Sequence, residues 1–224
     1  RIDDDMEMGT SAASLTLGGA GSSGTLQLGA SVIITHAVNA AGAAVIDTGN
    51  FIGTLSQPVS GTGGLTKVGL GTLVFSRDNG YAGGTTIGAG ILQIGDGGTT
   101  GSIIGDVADG GTLAFNRSDA VTFGGAISGS GAISQNGSGT TILTAANTYA
   151  GGTTISAGIL QIGAGGTTGS IAGDVTDNGA LAFNRSDIIA FGGVISGSGV
   201  VVQAGTGMTI LIANNTYSGG TTIT

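Results

Sequence analysis

The sequence predicts an all-β fold: a right-handed parallel β-helix, or β-solenoid, with about three coils in each 68-residue repeat. Three observations predict it: the composition, an internal repeat, and short runs of alternating apolar residues. Of 224 residues, 49 are glycine and one is proline, with no cysteine or tryptophan and 8% charged residues. Each glycine in a helix interior costs about 1 kcal/mol, so helices are disfavoured along the whole chain. Collagen needs glycine at every third position with abundant proline, and neither is present. A mean hydropathy of +0.42 argues against disorder. Short strands joined by tight, glycine-bearing corners remain.

The repeat sets the organisation. The string GGTTI occurs at Gly83–Ile87, Gly151–Ile155 and Gly219–Ile223, 68 residues apart each time. Residues 83–150 laid over 151–218 give 49 identities in 68 positions without a gap. Residues 61–224 are read as the repeat region, with a third copy just begun where the given sequence stops. Residues 9–60 read as degenerate coils of the same unit, since Leu26-Gln27-Leu28-Gly29 resembles Leu92-Gln93-Ile94-Gly95. Residues 1–8 carry Asp3, Asp4, Asp5 and Glu7 and read as an acidic leader, a solvated tail.

Within the unit, Leu73/Phe75, Leu92/Ile94, Leu113/Phe115 and Ile133/Gln135 alternate with their neighbours, as does the run around Ile142. Residues two apart share one face of a strand, so these pairs point inward and Val74, Gln93 and Ala114 outward. Glycine-rich strings such as GDGGTTGS end the strands. Three coils of about 22–23 residues fill the repeat, and the chain makes about ten, stacked in parallel. Parallel crossovers are right-handed, which sets the expected hand. A sandwich of hairpins fits less well, because Asn79-Gly80 and Asn136-Gly137 lack flanking alternating strands.

The net charge of −8 rests on 13 acids against five cations, Arg1, Lys67, Arg77, Arg117 and Arg185. Five scattered cations make no basic patch, so nucleic acid is not an expected partner. Without cysteine there are no disulfides or thiolate metal sites. No apolar run reaches the roughly 20 residues of a transmembrane helix. Residues 1–8 lack the basic-then-apolar pattern of a signal peptide, which reads as a mature chain or a fragment.

Residues that could carry chemistry are few, and no catalytic residue or cofactor site is expected. His36, the one histidine, reads as a rim residue of the degenerate coils. Asp106/Asp109 and Asp174/Asp177 recur three apart and are weak calcium candidates. Against them, Asp96 becomes Ala164 in the next copy, and aspartates in turns commonly cap their own backbone. Arg117-Ser118-Asp119 and Arg185-Ser186-Asp187 read as local surface pairs. Tyr81, Tyr149 and Tyr217 precede each GGTTI and could form a sugar-stacking row; packing over the turn with a hydroxyl hydrogen bond is the plainer reading. With the pairs Gly83-Gly84, Gly151-Gly152 and Gly219-Gly220 they are expected to be structural residues of the repeat. The threonine pairs recur too sparsely for an ice-binding array.

The stretch Gly69–Gly95, GLGTLVFSRDNGYAGGTTIGAGILQIG, resembles the autotransporter-associated β-strand repeat. The copy at Gly137–Gly163 fits better through Asn147-Thr148-Tyr149, and Gly205–Thr224 matches through Asn215-Thr216-Tyr217. The resemblance implies a passenger segment of a type V secreted protein, displayed at the outer membrane or secreted. It further implies a β-barrel translocator in the same full-length protein and a non-enzymatic role. That role is a rigid stalk or scaffold for adhesion, biofilm formation or self-association, with support of secretion. A host surface or a glycan would be its receptor. The other reading is a carbohydrate-binding or carbohydrate-active β-helix, a lyase or glycosidase.

Overall fold

The computed structural model describes residues 1–9, 13–19 and 21–224. Apart from one 3-10 turn at Asp5–Met8, its regular structure is short strands, paired in parallel as a β-solenoid of about ten turns. The chain divides into two compact units, Arg1–Leu113 and Ala114–Thr224.

In the first unit, one face stacks Ser23–Gln27, Ala43–Asp47, Leu65–Val68, Thr85–Ile87 and Val107–Asp109. A second face stacks Val32–Ile34, Ile52–Leu55, Thr72–Phe75 and Ile91–Ile94. A third carries Leu15–Leu17, Val38–Ala40 and Val59–Ser60. Alternation decides what is inside: Leu55, Leu73, Phe75, Leu92 and Ile94 fill the core while Thr54 and Gln93 face out.

Two details depart from a simple two-sided alternation. Val74, Ala114 and Ala182 are buried although they face outward. For Ala182 the neighbours on adjacent coils, Gln161 and Val202, explain it. They stand about 4.8 Å above and below, so a small outward side chain between them is sheltered. Near Ile142 it is Thr141 and Leu143 that point inward.

In the second unit, one face stacks Ala132–Gln135, Thr153–Ile155, Val175–Asp177 and Ile195–Ser196. Another stacks Ala120–Phe123, Thr140–Leu143, Ile159–Ile162, Ala180–Phe183, Val200–Gln203 and Thr221–Ile223. A third pairs Ile188–Phe191 with Met208–Leu211.

This register sharpens the relation between repeat and coil. Thr140, Ile159, Ala180 and Val200 lie one above another, so three coils use 60 residues. The remaining 8 residues of the repeat cross one more corner, and the equivalent of Thr140 is Met208, on another face. Likewise Ala132–Gln135 and its copy Val200–Gln203 lie in different sheets. The repeat is therefore three coils plus one face, and equivalent residues of these copies do not stack into ladders.

The N-terminal residues are not a free tail. Ile2 is buried and bridges Leu28 in parallel, with Ile2 N–H donating to Gln27 O at 2.8 Å. Asp5 accepts from the Thr35 amide at 3.0 Å and from the Thr35 hydroxyl. His36 is 2% exposed, not a rim residue, and its Nδ1 lies 3.0 Å from Asp5 Oδ1. Burial raises the Asp5 carboxyl, but the hydrogen bonds from Thr35 and His36 outweigh it and hold it below its usual range.

Candidate functional site: a repeated corner and an apolar outer face

Each GGTTI string sits at a corner assembled by the residues before it. Asn79 accepts from Val59 N–H at 2.8 Å and donates to Arg77 O at 2.7 Å and Ser102 O at 2.9 Å. Asn147 does the same with Ile127, Ala145 and Ser170, and Asn215 with Ile195 and Ala213. One buried amide thus satisfies backbone groups of up to three segments.

The tyrosines lie beneath that corner. The rings of Tyr81 and Tyr149 are fully buried, and Tyr217 is half-buried, so the first two present no face to a sugar. Their hydroxyls hydrogen-bond to Thr85, Thr153 and Thr221 at 2.6, 2.5 and 2.7 Å. Tyr81 also meets Phe75 edge-on, ring centres 6.4 Å apart. Burial pushes the Tyr81 hydroxyl up to about 12, the Thr85 hydrogen bond offsetting part of the rise. At Gly83, Gly151 and Gly219 the neighbouring coil's backbone passes too close for a side chain; Gly84, Gly152 and Gly220 have φ of 76°, 80° and 85°.

In a second set of corner residues the alternation placed Gln135 inward but missed Lys67 and Gln203. Lys67 is fully buried, between Ile46 and Ile87 in register. Its ammonium donates to Thr48 Oγ1 (2.9 Å), Val68 O (3.2 Å), Gly69 O (2.6 Å) and Ala89 O (3.0 Å). One and two repeats on, Gln135 donates to Gly137 O and Gly139 O, and Gln203 to Gly205 O and Gly207 O. The signal was a polar residue recurring every 68 positions at an inward place in the alternation.

The calcium candidates do not converge. Asp106 and Asp174 are exposed, and Asp174 accepts from Val194 N–H at 2.9 Å. Asp109 and Asp177 point inward and are 1% and 0% exposed. Each caps its own turn, from Gly111 N–H at 2.9 Å and Gly179 N–H at 3.0 Å. Asp106 and Asp174 face solvent just before the strands that carry Asp109 and Asp177 inward, three residues away, so a shared cation has no cradle. Among the described residues no group of three or more His, Asp and Glu side chains comes together.

Asp109 Oδ2 and Asp177 Oδ2 are buried without a hydrogen-bond partner among the described residues. Burial raises both carboxyls, against the pull of the turn amides. A carboxyl raised in the fold binds protons more tightly there than in the unfolded chain. Its stabilising effect is complete below the unfolded value and is lost as pH rises through the folded one. The thermal midpoint should therefore fall as pH rises above the ordinary carboxylate range, and the double variant D109N/D177N should flatten that slope. A slope unchanged in the double variant would refute the assignment. Asp119 and Asp187 are lowered by hydrogen bonds from Arg117 and Arg185, but their side chains are 37% and 36% exposed, so solvent screens the pairs and they weigh little.

Those arginines are more than surface pairs. Arg117 is buried and bidentate to Asp119 at 2.9 and 2.8 Å. Arg185 holds Asp187 at 2.8 and 2.6 Å and also donates to Gly169 O and Thr167 O, pinning that glycine-rich loop.

The outer surface of the unit Ala114–Thr224 carries an apolar face. Ile188 is 66% exposed, and Met208 and Ile210 lie on the same outward side of the strand paired with it, followed by Ile212. Ile188 stands beside Met208 and Ala190 beside Ile210 in the two-stranded sheet. The sister copy has Ala120, Thr140, Ile142 and Thr144 at these places.

The Passenger-associated-transport-repeat family model matches residues 65–94, 133–162 and 201–224. The chain is also similar to the adhesin BmaC autotransporter of Brucella suis biovar 1 (strain 1330). They are 38% identical over 174 residues, which is 68% of this chain and 5% of that relative. No solved structure matches the chain.

Proposed function

We propose that this chain, a segment of autotransporter passenger built on the passenger-associated transport repeat, is a non-enzymatic adhesive scaffold at the bacterial surface. The observation that carries the reading is where the two copies differ. Of their 68 positions, 49 are identical and 19 differ, and among those 19 the pair Ile133/Val201 alone is buried in both copies. The interior is held fixed while the outer faces vary, as befits a framework whose surface meets partners. The advance by one face per repeat turns each outer motif to a new direction.

The apolar face at Ile188, Met208, Ile210 and Ile212 is the adhesive surface in this reading, meeting either a host surface or a second passenger. A stiff stalk follows from the stacked coils. Support of secretion follows as well: each coil formed outside the cell offers a strand edge on which the next one pairs. A β-barrel translocator of the same full-length protein would release the chain unfolded. The carbohydrate-processing alternative needs acids gathered on an outer groove, and the buried Asp109 and Asp177 favour structure over that use.

The test reverts the face to its sister copy with Ile188→Ala, Met208→Thr and Ile212→Thr. Adhesion of cells displaying the variant should drop about tenfold while its melting temperature stays within a few degrees. Undiminished adhesion would move the adhesive surface elsewhere. Turnover in a reducing-sugar assay would overturn the non-enzymatic role.

A further inference from the structure

We infer that Asn178-Gly179 is a self-modification site, at which the fold promotes cyclisation of Asn178 to a succinimide and its conversion to aspartate or isoaspartate. Cyclisation needs the amide nitrogen after an asparagine to lose its proton and attack the side-chain carbonyl carbon. Three groups for that step are in place. Gly179 N–H donates to Asp177 Oδ1 at 3.0 Å, so a carboxylate lies within proton-transfer reach of the nucleophile. Asp177 Oδ2 has no partner among the described residues and is free to hold the proton. Asn178 Oδ1 accepts both the amide and the hydroxyl of Ser198, each at 3.2 Å, which polarises the carbonyl and steadies the oxyanion that attack creates.

The step balances within the chain. Gly179 N passes its proton to Asp177 and bonds to Asn178 Cγ, and the carbonyl electron pair moves to Oδ1. The pair returns as the Cγ–Nδ2 bond breaks, and the leaving nitrogen takes the proton from Asp177 to depart as ammonia. Water then opens the imide at either carbonyl. Asn178 and Ser198 are exposed, so ammonia can leave and water can enter. Burial of Asp177 raises its carboxyl, which makes its ionised form the stronger base.

The chain contains its own controls. It has three Asn-Gly pairs, and the other two lack the machinery. Gly80 N–H is committed to Val59 O at 2.9 Å, and the Asn79 amide is buried and saturated. Gly137 N–H points to Phe115 O at 3.1 Å, and Asn136 Oδ1 has the Ser134 hydroxyl as its donor. The sister copy keeps the base and the turn amide as Asp109 and Gly111, but Gly110 replaces the asparagine.

Peptide mapping by mass spectrometry, with isoaspartate detection, tests this on the folded chain aged at neutral pH. Asn178 should convert at least about tenfold faster than Asn136 or Asn79. D177N should slow it on the order of a hundredfold. S198A, an exposed change that leaves the fold intact, should slow it about tenfold by removing one donor. In denaturant the three rates should converge. Equal rates at Asn178 and Asn136 in the folded chain would overturn the inference. So would an unchanged rate in S198A, or a D177N effect that persists in denaturant.

Discussion

Replacing Lys67 by methionine is expected to destabilise the unit Arg1–Leu113 by about 2–4 kcal/mol, and replacing it by glutamine by about 1 kcal/mol. On hydrophobicity alone the order should be the reverse, since Lys67 lies between Ile46 and Ile87 in a dry column and methionine matches its length. The carbonyls decide it. Val68 O, Gly69 O, Ala89 O and the Thr48 hydroxyl all accept from one ammonium. Methionine offers them nothing, and each buried acceptor left alone costs about 1–3 kcal/mol before relaxation. Burial of the ammonium costs too, and pulls it down to about 8, with Asp47 resisting. Removing that cost refunds part of the loss. Glutamine keeps the turn contact, as Gln135 reaches Gly137 O at 2.9 Å in the next copy. Urea unfolding of the three proteins would check the order, and a K67M chain as stable as K67Q would refute it. Because the folded value lies below the ordinary 10.5, the wild-type chain should also gain stability between about pH 8 and 10.5, a gain absent from both variants.

Lys67 also marks where the sequence stops being legible. Coil stacking, the inward Leu-x-apolar pairs and the glycine corners could be read because they recur and obey the period of two. A lone lysine reads as solvated unless its register is known, and register needs the neighbouring coil. The step of one face per repeat was hidden for a related reason. The 68-residue period counts residues, whereas faces are counted in corners, and only the pairing of Thr140 with Ile159 rather than a residue 22 or 23 further on reveals the shorter coil. At the candidate site, the tyrosines and glycines announced themselves by repetition. The Ser198 donors at Asn178 could not, because they come from 20 residues away on the next coil. The apolar face was equally silent, since Met208 and Ile188 become neighbours only through pairing.

The two glycines of the GGTTI corner should respond to alanine by different mechanisms and to different degrees. Gly151→Ala is expected to cost about 3–5 kcal/mol and Gly152→Ala about 1–2 kcal/mol. At Gly151 a Cβ would lie 2.5 Å from Gly131 O and 2.7 Å from Gly131 C. Both are backbone, fixed by the very bond in which Gly151 N–H donates to Gly131 O at 2.8 Å. No rotamer change relieves that overlap. The coils must part, weakening this bond and its neighbour from Ala150 N–H to Gly129 O. Gly152 has φ of 80°, where an L residue is strained by roughly 1–2 kcal/mol, and its Cβ would sit 3.0 Å from Asp174 O, tight but close to tolerable. Thermal unfolding should separate the variants clearly; equal losses would mean that turn conformation, not coil spacing, sets the requirement for glycine. The distinction bears on the secretion role proposed above. A strained turn weakens one corner, whereas parted coils remove the template on which the next strand pairs, so Gly151→Ala should also delay display of everything assembled after it, and Gly152→Ala should not.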